Sequence, residues 1–133
     1  MRRRGFTLVE VLVASSVSLL LASIAWPSYR GQLLRAGRAE GIEALQRLQR
    51  AQERHRETFG TYAPQLATVG MPPATTGGRY RLEFVATGVE SYQVQAVARE
   101  DGPQADDTAC ARLSLEVRQG FATLGPDGRC WNR

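Results

Sequence analysis

The chain of 133 residues contains no lysine, a single histidine (His55), and only two cysteines, which are too far apart for a CxxC pair. Arginine therefore supplies all the basic side-chain charge, an effect of genome composition that carries no functional weight. One histidine and two distant thiols do not make a metal ligand set. Without CxxC there is no dithiol redox motif. No nucleophile–base pairing is visible either, so the chain is read as a non-enzyme with no cofactor. There is no internal repeat and no low-complexity stretch.

A different scarcity marks residues 6–26. This run of 21 residues has no glycine, no proline and no charge except Glu10. As a helix it would span ~32 Å, about the hydrocarbon thickness of a bilayer. Ser15, Ser16 and Ser18 do not forbid this, because a serine hydroxyl can bond back onto its own helix. Arg2, Arg3 and Arg4 precede the run, so the positive-inside rule keeps Met1 cytoplasmic and puts everything after Trp26 on the far side. A secretory signal would have a shorter apolar core and a small-x-small cleavage site, which residues 23–26 supply poorly. A plain membrane anchor leaves Glu10 unexplained. An acid at the centre of a membrane helix costs roughly 2.5–3.5 kcal/mol. Nearer the end it costs less, yet it still needs a partner.

Gly5, Phe6, Thr7, Leu8, Val9 and Glu10, set between the arginines and the apolar run, resemble the type IV pilin family of pilus subunits and secretion pseudopilins. The resemblance implies that a prepilin peptidase cuts between Gly5 and Phe6 and that the new amine is methylated. It divides the chain into a cleaved leader (1–5), a hydrophobic transmembrane and filament-core helix (6–27) and a head outside the cytoplasm (28–133). In the family the acid is thought to pair with the amine of a neighbouring subunit, a filament-assembly role that falls here to Glu10. In a low-dielectric bundle each charge is costly alone and tolerable when paired, so pairing sets the register between subunits. Leu19 stands where many major pilins carry a helix-weakening glycine.

The net charge of +4 invites a nucleic-acid reading. Loss of the leader removes three of the 17 arginines and leaves 14 against 13 acids, a net of +1, so the basic excess is mainly a topology signal. Cys110 and Cys130 both fall in the exported part, where an even count favours a disulfide. Its loop would contribute ~3 kcal/mol in the chain-entropy model.

Pro27 predicts a kink or break near residues 23–27. Residues 28–59 read as a second helical stretch, with Leu34, Ile42, Leu45, Leu48 and Gln52 at helical spacings. Glu43 and Arg47 stand in the favourable i, i+4 order. Gly31, Gly37 and Gly41 cost the helix ~1 kcal/mol each, and such small residues also permit close packing. Gly60 is the expected C-cap. Residues 63–78, rich in proline and glycine, form a loop with one short helical turn. The period then changes to two. Tyr80, Leu82, Phe84 and Ala86 give one strand, and Tyr92, Val94, Ala96 and Ala98 a second after a turn at Gly88. Leu113, Leu115 and Val117 give a third, and residues 121–124 a short fourth after Gly120. The expected core is Ile42, Leu45, Leu48, Tyr80, Leu82, Phe84, Tyr92, Val94, Leu113 and Leu115.

The fold class is therefore α+β: a long, bent N-terminal helix packed on a three- to four-stranded antiparallel sheet. The pilin resemblance extends over this head and implies a C-terminal loop bounded by a Cys110–Cys130 disulfide. Pro27-Ser28-Tyr29, Gln52-Glu53-Arg54, Gly60-Thr61-Tyr62, the run Cys110 to Leu115, and Cys130-Trp131 resemble PilE-type minor pilins. What this implies is a structural subunit of a type IV pilus that takes part in assembly and initiation. Its partners would be other major and minor pilins, prepilin peptidase and the inner-membrane assembly machinery. It would reside first as a single-pass protein of the inner membrane and then in the extracellular pilus, with motility, adhesion and DNA uptake as what the family implies for the filament.

Two alternatives stay open. A type II secretion pseudopilin would hold calcium with loop acids. Glu100, Asp101, Asp106 and Asp107 cluster in one loop, but their spacing matches no calcium loop, and a solvated acidic loop is the simpler reading. A DNA-binding pilin would use Arg30, Arg35, Arg38, Arg47, Arg50, Arg54 and Arg56. These are offset by Glu40, Glu43, Glu53 and Glu57, so salt bridges between subunits are favoured over counterion release on DNA. His55 reads as a solvated or boundary residue rather than a base.

Overall fold

The computed structural model describes residues 5–133. Of the expected leader, Met1, Arg2, Arg3 and Arg4 lie outside the described residues. Helix α1 (Leu8–Phe59) begins the fold. The chain divides into two compact units, Met1–Leu33 and Leu34–Arg133, and their boundary falls within α1.

Of the kink or break expected near residues 23–27, the break does not occur: α1 continues through Pro27 as one long helix. A proline deletes one ladder bond and crowds one carbonyl, while the turns on either side keep theirs. Apolar helices tolerate such an interruption. In the first unit the large apolar side chains, among them Leu8, Val9, Leu12, Leu19, Leu20 and Ile24, are exposed. Ser15, Ser16 and Ser18 donate to the carbonyls of Val11, Leu12 and Ala14, each at 2.8 Å, so their hydroxyls are satisfied within the helix. The helix is long and apolar enough here to cross a membrane.

In the second unit, residues 34–59 of α1 pack on a four-stranded antiparallel meander of order β1-β2-β3-β4. The strands are β1 (Tyr80–Gly88), β2 (Ser91–Ala98), β3 (Arg112–Arg118) and β4 (Phe121–Gly125). A register shift between Ala86 and Gly88 marks the β1–β2 turn. Between β3 and β4, Gln119 and Gly120 both have positive φ (50° and 83°), as a two-residue hairpin turn of the primed kind requires. A short 3-10 turn, Leu66–Val69, sits in the loop before β1. Gly60 ends α1 with φ 79°, and its N–H donates to Arg56 O at 2.7 Å.

The inner sheet face and one helix stripe form the core. Leu45, Leu48, Tyr80, Leu82, Tyr92, Val94, Leu113 and Leu115 are buried as expected, joined by Ala96, Val117, Tyr62, Met71 and Trp131. Ile42 and Phe84, expected inside, lie half-buried at the margin. Phe84 is on edge strand β1 and so has a neighbouring strand on one side only. At Gly41 the helix lies close against the sheet: a Cβ there would lie 3.1 Å from Leu113 and 3.2 Å from the Tyr80 ring. Gln52, which shares the apolar stripe, is fully buried because its carboxamide bonds both the N–H (2.8 Å) and the carbonyl (3.2 Å) of Ala63.

Candidate functional site

The N-terminal residues that carry the motif are exposed. Among the described residues no atom lies within 4 Å of where a Cβ on Gly5 would stand, and Phe6 is 82% accessible. Glu10 sits in the first turn of α1. Its N–H donates to Thr7 Oγ1 at 3.2 Å, and its Oε2 accepts from the Thr7 N–H at 3.4 Å. The two bonds are reciprocal, with Thr7 as the N-cap and Glu10 as N3. Thr7-x-x-Glu10 before an apolar run is the sequence signature of this arrangement, a signal outweighed in the sequence by the charge of Glu10. Ala14 and Ser18 line the same face of the helix one and two turns on, and such small side chains let a second helix approach closely.

The head brings together different residues. Cys110 and Cys130 form a disulfide with Cα atoms 5.3 Å apart, and both cysteines are buried. Beside it Arg38 donates from Nε and Nη2 to the two carboxylate oxygens of Asp107, at 2.6 and 2.7 Å. Its Nη1 donates to the Arg129 carbonyl at 3.2 Å. The Asp107 pairing raises the Arg38 pKa further against the opposing effect of burial. Gln104, also buried, donates from Nε2 to the Leu34 carbonyl and to Tyr80 Oη, both at 3.1 Å. Asn132 Nδ2 donates to the Arg35 carbonyl at 3.2 Å. The β2–β3 connection and the C-terminal tail are thus fastened to α1 on both sides of the disulfide.

These contacts correct the reading of the acidic loop as solvated at one residue, Asp107, while Glu100, Asp101 and Asp106 are exposed. Asp107 is only 4% exposed and is committed to Arg38. Asp101 pairs with Arg99 at 3.0 Å, which holds its carboxyl below the usual range. Among the described residues, no group of three or more His, Cys, Asp or Glu is placed to hold a metal. The arginines of α1 are likewise partly consumed within the chain. Arg47 pairs with Glu43 at 2.7 Å, Arg56 with Glu53 at 3.8 Å, and Glu40 takes Arg79 at 2.9 Å. Arg35, Arg50, Arg54 and Arg133 form no ion pair among the described residues. Arg35 and Arg133 share a groove with Asn132, Arg129, Asp127 and the disulfide. His55 is half-buried, its Nδ1 2.9 Å from the Thr61 carbonyl and its ring against Phe59.

Two families match the chain. The one described as type IV minor pilin ComP, DNA uptake sequence receptor, matches residues 27–114. The one described as prokaryotic N-terminal methylation motif matches residues 1–26. No curated protein matches the chain.

Proposed function

The chain belongs to the type IV minor pilin family, and on that premise we propose that it is a pilus subunit cut after Gly5 and methylated at Phe6. Before assembly residues 6–27 hold it in the inner membrane as a single-pass protein with its head, residues 28–133, outside the cytoplasm. It is then extracted into a filament whose core is made of such helices, and there it helps to start assembly. Its partners are prepilin peptidase, the assembly machinery, and other major and minor pilins. Pilins are structural proteins, and this reading gives the chain no reaction to catalyse.

The observation that carries it is Gly5-Phe6-Thr7-Leu8-Val9-Glu10 opening an exposed apolar helix, with Glu10 in the first turn. A cut before Phe6 creates a cation at the start of that helix, and Glu10 supplies the matching anion for a neighbouring subunit. Glu10→Ala is expected to be cleaved normally and to be missing from sheared filaments. Incorporation at the wild-type level would overturn the pairing. Gly5→Leu, which puts a bulky side chain at the cut, is expected to block cleavage.

DNA binding is a second reading. It draws on the description of the family matched over residues 27–114 and on the four guanidinium groups without an ion-pair partner among the described residues: Arg35, Arg50, Arg54 and Arg133. Phosphate contacts by these groups would weaken steeply with salt. A DNA mobility shift by the purified chain that fades as salt rises would support it, and no shift at low salt would remove it.

A further inference from the structure

The two hydrogen bonds between Thr7 and Glu10 use four groups: the Thr7 N–H and Oγ1, and the Glu10 N–H and Oε2. A helix start leaves four amide groups without an intrahelical partner, and the pair satisfies the Glu10 N–H together with the amide that precedes the first turn. Inside a membrane no water would replace those bonds. None of the four groups belongs to residues 1–5, so removal of everything before Phe6 leaves the arrangement intact. Glu10 Oε1 makes no hydrogen bond among the described residues. The carboxylate therefore has one oxygen engaged in its own helix and one presented outward, and its Thr7 anchor is a single residue away from where the Phe6 amine appears.

We infer that Thr7 is a positioning residue for filament assembly. Through the reciprocal cap it fixes the Glu10 carboxylate at the helix start with Oε2 occupied and Oε1 free for the amine cation of a second pilin subunit. This rests on the pairing role proposed for Glu10. A glutamate loses most of its rotamer freedom when it engages a partner. Held by Thr7, it has lost that freedom before the neighbour arrives, and association is favoured by the difference. The cap also fixes the height of the carboxylate along α1, so the register set by the amine contact is inherited from Thr7. A valine would keep the β-branch and the volume of threonine while removing the acceptor oxygen. A serine would keep the oxygen.

The test uses the full chain in its own membrane, with Thr7→Val, Thr7→Ser and Glu10→Ala side by side. Leader cleavage is followed by mobility and incorporation by the amount in sheared filaments. Thr7→Val is expected to be cleaved normally and to fall about fivefold in filaments, the factor that loss of an N-cap corresponds to. Thr7→Ser is expected to restore incorporation to within about twofold, which a general loss of packing would not do. Wild-type incorporation of Thr7→Val alongside an absent Glu10→Ala would overturn the role of Thr7 and leave that of Glu10 standing. Wild-type incorporation of both would overturn the pairing itself. Failed cleavage of Thr7→Val would also overturn the inference, because it would place Thr7 in processing rather than assembly.

Discussion

Arg38 holds Asp107, 69 residues later in the chain, through two parallel hydrogen bonds of 2.6 and 2.7 Å, and both side chains are largely buried (13% and 4% exposed). With its third nitrogen on the Arg129 carbonyl, one guanidinium joins α1, the β2–β3 connection and the tail that carries Cys130. The disulfide closes the loop covalently, but it does not attach that loop to the helix, and Arg38 does.

Removing one partner of such a pair leaves the other charge buried and unmatched, at a cost of about 3–5 kcal/mol. Arg38→Met should therefore lower the stability of the detergent-solubilised chain by about 3 kcal/mol in urea unfolding. Replacing both, as Arg38→Met with Asp107→Leu, should recover part of that loss, since no stranded charge remains. An unchanged midpoint for Arg38→Met would show that the pair contributes nothing to stability.

Neither partner was legible as a pair in the sequence. Asp107 stands next to Asp106 in an acidic, glycine- and proline-containing stretch, and local composition makes such a stretch look solvated. Its burial depends on a residue from another element. Gln104 was obscure for the same reason, because a buried amide is tolerated only where distant chain supplies its partners; Gln52 was legible on the helical stripe, but its bonds to Ala63 were not. The strands, by contrast, were legible because alternation is local: Tyr80, Leu82, Tyr92, Val94, Leu113 and Leu115 all face inward. Gly60 was legible because a left-handed C-cap selects glycine. The single long helix was legible as well, and of the two outcomes that Pro27 allows, a kink or a break, the break is avoided because the turns on either side keep their bonds.

Gly37 illustrates how the helix accommodates this network. A Cβ on Gly37 would occupy the place of the Gln104 side-chain carboxamide. Gly37→Ala gains about 1 kcal/mol in helix propensity but displaces Gln104 from the Leu34 carbonyl and Tyr80 Oη. The net effect should be destabilising, by about 1–3 kcal/mol for the polar groups left unpaired. In a double-mutant cycle with Gln104→Ala the two losses should not add, because the second substitution removes the obstacle. Additive losses in thermal melts would mean that the two residues act independently.

Tyr92 offers the opposite case. Its ring is fully buried, edge-on to Tyr62 at 4.9 Å and stacked near Phe84 at 5.7 Å, and its hydroxyl has no hydrogen-bond partner among the described residues. Burial pushes its phenol well above the usual tyrosine range. Tyr92→Phe removes an unsatisfied group and keeps the packing, so it should be neutral or stabilising by up to about 1 kcal/mol. Tyr62→Phe is the control. Its hydroxyl donates to Glu53 at 2.9 Å and accepts from Arg56 at 3.3 Å, so its loss should lower stability by about 1 kcal/mol. A larger loss for Tyr92→Phe than for Tyr62→Phe, measured by melting, would contradict the assignment of the unpaired hydroxyl.

Glu40 makes the stability of the head depend on pH. It accepts a hydrogen bond from Thr75 Oγ1, one from Arg79 Nη1 at 2.9 Å and one from the Arg79 N–H at 3.3 Å. Burial pushes its carboxyl up, but the bonds from Thr75 and Arg79 prevail, and the group lies below the ordinary value of 4.5. A folded-state pKa below the unfolded one means that the unfolded chain binds more protons in the interval between them. The stabilisation is therefore fully present above pH 4.5 and is lost as the pH falls through the lower, folded value. Glu40→Gln should accordingly be less stable than wild type at neutral pH, and the gap should narrow progressively below pH 4.5. Comparing the variant with wild type isolates this one carboxyl from the other acids, which titrate in both. A gap that stayed constant down to about pH 3, well below the usual glutamate range, would mean that the carboxamide loses geometry rather than charge, and that the anion itself is not what fastens the loop before β1 to the helix.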